Sequence, residues 1–259
     1  MLAASNFVKK GMVAPLVNRL SLTRFSSKAG SFVVPPPPTT SLAVVGSDSR
    51  FPVRRIYCVG RNYWDHAIEM SGDPAREPPF FFHKPTDAAV DCSGEDCVVP
   101  FPTQTEMLAY EGEFVIAIGK EGSHVSKEQA EDLIFGYGAG CDLTRRDLQD
   151  VAKKMKRPWC TSKGFDFSGP VGALVPKEKF DWKESTVELK VNGERKQFAR
   201  LDLMIWKPLE VIEYLSSYHK LYPGDLIFTG TPAGVGKLSP GDSVESIVDG
   251  LPKCSFKLK

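Results

Sequence analysis

No acidic residue precedes Asp48, no two cysteines form a C-x-x-C pair, and no internal repeat is evident in the 259 residues. No apolar run approaches the roughly 18 residues a helix needs to cross a bilayer, so no membrane span is expected. Nor is there a basic stripe with interleaved aromatics, which argues against a nucleic-acid partner. The stretch Gly136-Tyr-Gly-Ala-Gly140 lacks the spacing of a dinucleotide fingerprint. Gly230-Thr-Pro-Ala-Gly-Val-Gly236 lacks the Lys-Ser/Thr ending of a phosphate loop. Its glycines suit either a tight structural loop or a backbone passing close to another group.

What is present is an ordinary globular composition, 42% hydrophobic and 25% charged, with net charge +1. The charge is uneven. Five of the 33 basic residues (Lys9, Lys10, Arg19, Arg24 and Lys28) lie within residues 1–47, leaving 28 against all 32 acidic ones downstream. Phe7, Val8, Met12, Val13, Leu16, Val17 and Leu20 give the leader amphipathic character, as in mitochondrial transit peptides, with processing near Ser27. A disordered tail is the plainer alternative, and the cytoplasm is then the alternative location to the mitochondrial matrix. Pro35-Pro-Pro-Pro38 reads as a stiff extended linker. Residues 1–47 are therefore taken as leader and linker, and 48–259 as one domain. In a reducing matrix Cys58, Cys92, Cys97, Cys141, Cys160 and Cys254 are expected as free thiols, and nothing supplies Cys160 with a base.

The body mixes α and β. Strands are predicted at Arg54–Val59, Phe80–His83, Glu113–Ile118, Asp225–Thr229 and Ser243–Val248, with a last one ending near Leu258. Asn192-Gly193 between Val187–Val191 and Lys196–Phe198 is a strong hairpin signal. Short helices are expected around Asn62–Met70, after the capping pattern Ser126-Lys-Glu-Gln129, over Leu143–Lys153 and from Leu209 to Tyr218. Irregular alternation of strand and helix favours one β-rich α+β domain over a doubly wound sheet.

One feature of this pattern is costly. Glu111 and Glu113 flank Gly112 at the entrance to an apolar strand, where positions two apart face the same way. Like charges side by side repel, and burial worsens this. A divalent cation would turn the repulsion into chelation, and carboxylate oxygens select Mg²⁺, Mn²⁺ or Ca²⁺. Gly112 would let another backbone approach the opposite face. Asp142, ending the extended Gly136–Cys141 segment, is the candidate third ligand. Equally, the glutamates could line a solvent face and Asp142 cap a helix.

The motifs RRIYCVGRNYWDHAIEM, EPPFFFHKPTDAAV, YEGEFVIAIG, YGAGCDLTRRDLQ and GDLIFTGTPAGVG together resemble the fumarylacetoacetate hydrolase family. They are most similar to its smaller acylpyruvate and fumarylpyruvate hydrolase branch, in order from Arg54 to Leu258. The resemblance implies a β-rich mixed sandwich or roll with short flanking helices, and a homodimer. It implies Mg²⁺, Mn²⁺ or Ca²⁺ held by Glu111, Glu113 and Asp142. Lys163 would support an enolate, and His66 with Glu69 would form a catalytic pair on one helical face. Arg146, Gln149, Thr231, Arg61 and Lys84 would contact substrate. Two departures stand out: Tyr110, where many relatives have His, and Cys160-Thr161, which alter the segment before the lysine.

The implied substrate is a 2,4-diketo acid, an acylpyruvate such as fumarylpyruvate or acetylpyruvate. Water activated by His66 would attack the 4-keto carbon, and carbon–carbon cleavage would leave pyruvate and a carboxylic acid. Oxaloacetate decarboxylation or tautomerisation through the same enolate, without an attacking water, is the alternative. A non-catalytic metal-binding module is a third reading.

Overall fold

The computed structural model describes residues 32–65 and 77–259. Two units are distinguished, Met1–Pro38 and Thr39–Lys259. Of the first, only residues 32–38 are described, without helix or strand. The second contains every element that follows.

Its first elements are a hairpin, β1 (Ser41–Val44) and β2 (Ser47–Pro52), followed by β3 (Arg55–Gly60), β4 (Phe80–Lys84), β5 (Ala89–Asp91) and β6 (Val98–Val99). Strands β7 (Leu108–Tyr110) and β8 (Gly112–Ile118) lead to helix α1 (Lys127–Leu133) and β9 (Ile134–Cys141). Next come β10 (Thr144–Arg145), α2 (Arg146–Lys154), α3 (Cys160–Lys163), β11 (Gly169–Val171) and β12 (Val175–Pro176). The hairpin β13 (Thr186–Val191) and β14 (Glu194–Arg200) precedes α4 (Pro208–Tyr218). Strands β15 (Asp225–Phe228), β16 (Gly236–Lys237), β17 (Ser243–Val248) and β18 (Cys254–Leu258) complete the chain.

The main sheet runs β4-β3-β15-β8-β9-β11-β5, with β12 also on β9, and a second sheet runs β14-β13-β17-β18-β6. Strand β8 explains how they join. All seven of its residues are buried. Phe114, Ile116 and Ile118 face the larger core, shared with Val187 and Leu189 of β13 and with Val211, Ile212 and Leu215 of α4. Val115 and Ala117 face a smaller core with Ile56, Cys58, Leu226 and Phe228. A fully buried Phe or Ile contributes about 1.5–3 kcal/mol, so apolar packing on both faces fixes this strand. The second sheet differs: β13 and β17 alternate buried with more exposed positions. This is the β-rich α+β architecture expected. No helix among the described residues is long and apolar enough to cross a membrane.

Several expectations need correction. The folded body includes residues 41–47, because β1 pairs with β2; the boundary lies near Thr39 rather than at 48. The helix expected from Leu143 begins at Arg146, because Thr144 and Arg145 pair first with β7. Cys92 and Cys97 form a disulfide, their Cα atoms brought to 5.2 Å by the turn between β5 and β6. Cys58, Cys141, Cys160 and Cys254 are free, as expected, and Cys160 is exposed. The helix expected around Asn62–Met70 falls largely outside the described residues.

Candidate metal and substrate site

Antiparallel pairing sets Gly112 opposite Cys141, and the pairing continues as Asp142 N donates to Glu111 O at 2.8 Å. Adjacent strand ends thus carry the two glutamates and the aspartate to one place. One oxygen from each of Glu111, Glu113 and Asp142 lies within 4.8 Å of the others, and all three residues are buried. Three buried carboxylates so close cost energy unless cations answer them.

Three protein cations do. Lys163, at the end of α3, donates from Nζ to Glu111 Oε2 at 2.6 Å and to Asp142 Oδ2 at 2.8 Å. Burial alone would lower its pKa, but the charges of Asp142 and Glu111 outweigh that and raise it above lysine's ordinary value. Arg146 opens α2 and donates to Glu111 Oε1 at 2.5 Å and to Gln149 Oε1 at 2.6 Å. Lys84 ends β4 and donates to the carbonyls of Lys163 (2.5 Å) and Leu143 (3.2 Å). Its ammonium also lies 2.8 Å from Asp142 Oδ1, yet that oxygen receives no aligned hydrogen bond and keeps spare acceptor capacity.

Glu113 accepts from Gly230 N at 2.6 Å. Burial, then the charges of Asp142 and Glu111, push its pKa well above the ordinary carboxylate range. Gly230 has φ +99°, and a Cβ there would stand 2.7 Å from Asn62 Cβ, so glycine is required. The glycine loop thus presents its backbone to a carboxylate of the cluster. Asn62 fixes this corner, donating to the carbonyls of Thr229 and Trp206 and accepting from Trp206 N. At Gly112 the close neighbour is not a backbone, as expected, but the Leu189 side chain, whose Cβ would lie 2.9 Å from an added Cβ.

Glu111, Glu113 and Lys163 line a cavity of about 190 Å³, together with Arg61, Arg146, Gln149, Lys153, Trp159 and Thr231. Thr231 Oγ1 donates to Gly112 O (2.9 Å) and accepts from Gln197 (2.8 Å), so its hydroxyl proton is already engaged. Arg61 has φ +51°, with its guanidinium 5.6 Å from the Phe80 ring centre. Lys84 is buried beside Asp142 and, like it, does not line the cavity. Its bonds suit positioning of Asp142 and Lys163 rather than substrate contact. His66 and Glu69 lie outside the described residues.

Lys153, Trp159 and Gln197 escaped the sequence reading. Lys153 continues the Arg146/Gln149 helical stripe and was legible in principle; Gln197, on a hairpin strand, gave no local signal. The donor set fits a hard divalent ion: three buried carboxylates, with acceptor capacity remaining on Asp142.

Residues 55–259 match the profile of the fumarylacetoacetate hydrolase C-terminal family. A fumarylpyruvate hydrolase from Ralstonia sp is 42% identical over 184 residues, covering 71% of this chain and 94% of that protein. The mitochondrial oxaloacetate tautomerase FAHD1 of Mus musculus is 40% identical over 80% of this chain and 92% of its own length. The crystal structure of fumarylpyruvate hydrolase from Pseudomonas aeruginosa in complex with Mn²⁺ and pyruvate superimposes with TM-score 0.83 at 44% identity, covering 88% of this chain and 99% of that one.

Proposed function

The chain belongs to the fumarylacetoacetate hydrolase family, and from that premise we propose that it is a divalent-metal-dependent hydrolase of 2,4-diketo acids. Its substrates are acylpyruvates such as fumarylpyruvate or acetylpyruvate, and its products are pyruvate and a carboxylic acid. The observation that carries the reading is the buried Glu111/Glu113/Asp142 cluster, whose glutamates line the cavity and whose Glu111 and Asp142 are paired with Lys163, Arg146 and Lys84.

Glu111, Glu113 and Asp142 hold the ion, with Mg²⁺ or Mn²⁺ the natural occupants and Ca²⁺ a third. When bound, the ion would supply Lewis-acid stabilisation of negative charge developing on a substrate oxygen. Lys163 and Arg146 place fixed positive charge where the oxygen of the departing pyruvate half becomes negative, which favours the transition state over the ground state. His66, oriented by Glu69, takes a proton from water as its oxygen bonds to the 4-keto carbon. The bond between carbons 3 and 4 then breaks, its electron pair stays with the pyruvate half as enolate, and protonation at carbon 3 gives pyruvate. Gln149 holds Arg146 in register, and Thr231 fixes the loop over Glu113.

Oxaloacetate tautomerisation or decarboxylation is a second reading, favoured by the name of the mouse relative. It uses the same cluster but no attacking water, so two variants separate the readings. His66→Ala should lower acetylpyruvate and fumarylpyruvate hydrolysis by about 10²–10⁴-fold while sparing oxaloacetate turnover. Glu113→Ala should depress both. Normal acylpyruvate hydrolysis by His66→Ala overturns the water-activation role.

The leader through Ser27 directs the protein to mitochondria, a reading supported by its acid-free, amphipathic composition. Its deletion should leave activity intact and move the protein to the cytosol. Two copies form the working unit, which sedimentation at micromolar protein checks.

A further inference from the structure

Helix α2 presents Arg146, Gln149 and Lys153 at i, i+3 and i+7 along one face, and all three line the cavity. The first two are committed inward, Arg146 to Glu111 and Gln149 to Arg146. Lys153 is not. At 1.5 Å per residue it stands about 10 Å along the helix from Arg146. Asp150 is its ion-pair partner at 3.7 Å, beyond hydrogen-bond reach, on a side chain 60% exposed. The ammonium sits 5.7 Å from the ring centre of Trp159, which packs edge-on against Phe82 at 5.7 Å. Both aromatic residues belong to the cavity wall.

The charges make this cation surplus. Glu111 and Asp142 are engaged by Lys163, Arg146 and Lys84, and Glu113 accepts from Gly230. Burial and then the neighbouring Arg146 cation depress the Lys153 pKa, more than the exposed Asp150 carboxylate raises it. A ligand anchored at the carboxylate cluster and extending along α2 would pass flat aromatic surface and end beside an ammonium.

We propose that Lys153 receives a second carboxylate at the far end of the acyl group. The preferred substrates are then diketo acids whose acyl part is a short, flat chain ending in a carboxylate. The assignment rests on the reading above for the inner end of the substrate and adds the residue that selects the outer end. Its bland competitor is a solvated surface lysine that borders the cavity by chance.

Two measurements on the Mn²⁺-loaded protein decide between them. In steady-state kinetics, Lys153→Met, which keeps a long apolar side chain without the charge, should lower the fumarylpyruvate-to-acetylpyruvate ratio of kcat/KM roughly ten-fold, the value of one charge-assisted hydrogen bond. The loss should fall in KM for fumarylpyruvate, and Lys153→Arg should recover most of it. In calorimetric titrations, 2-oxoheptanedioate should bind the unaltered protein more tightly than 2-oxoheptanoate, and Lys153→Met should erase that preference. Neither compound has a 4-keto group to hydrolyse. Equal binding of the two by the unaltered protein, or an equal loss for both in Lys153→Met, overturns the proposal. A Lys153-dependent preference for the diacid in a protein that cleaves no diketo acid supports it and overturns the hydrolase reading instead.

Discussion

Asp225 and Asp142 are both buried carboxylates at strand ends of one sheet, and they are answered in opposite ways. Asp225 opens β15 and accepts from Arg54 Nη1, from Arg55 Nε and Nη2, and from Tyr222 N, at 2.6–3.2 Å. Both of its oxygens are occupied, and the side chains of Arg54 and Arg55 remain 43% and 31% exposed. Asp142 is faced by Lys84 and Lys163, whose side chains are essentially inaccessible, and one of its oxygens receives no aligned donor. A saturated carboxylate whose partners reach water ties the chain together. An undersaturated one among buried cations is arranged for something further.

The contrast can be broken most forcefully at Asp142. On the proposed ligand set Asp142→Ala removes one ligand and with it several kcal/mol of transition-state stabilisation, so it should lower kcat/KM by about 10³-fold. Steady-state assays on acetylpyruvate check this, and a loss under ten-fold would take Asp142 out of the ligand set. Next in size is the response to metal. At a hundred times its dissociation constant, Mn²⁺ should add about 2.7 kcal/mol to the unfolding free energy. Denaturant titrations should show that gain in the unaltered protein and in Asp225→Asn, but not in Glu113→Ala. The smallest effect falls at Asp225. Its arginine partners can return to water, so Asp225→Ala should cost only about 1–2 kcal/mol of stability. Acylpyruvate turnover by the folded fraction should stay near normal, and a turnover loss comparable to that of Asp142→Ala would erase the distinction.

Local chemistry made much of the fold readable. Asn192-Gly193 turned where expected between β13 and β14, and Ser126 N meets the Gln129 side chain at 3.0 Å at the start of α1. The meeting of Glu111, Glu113 and Asp142 was legible because a single strand pairing, β8 with β9, brings them together. Long-range contacts hid the remainder. Nothing near Gln197 announces that its amide donates to Thr231 and Pro232 while its carbonyl oxygen accepts from Gly112 N, 85 residues away in sequence. Lys84 was expected against substrate on resemblance alone, and only the burial of Asp142 beside it gives its charge a structural purpose. The β1–β2 hairpin was overshadowed by the proline run before it, and the Cys92–Cys97 bond depends on a turn whose spacing matches no metal or redox motif.

The pairing of Glu111 and Asp142 with Lys84, Lys163 and Arg146, beside Glu113 on the Gly230 N–H, also bears on the protein's biogenesis. A zinc finger's thiolates must wait for their ion before the chain can fold. Here the acidic cluster carries its own counter-ions, so the chain can complete folding first and be loaded afterwards. Metal supply then governs how much of the accumulated protein is active, rather than how much survives synthesis.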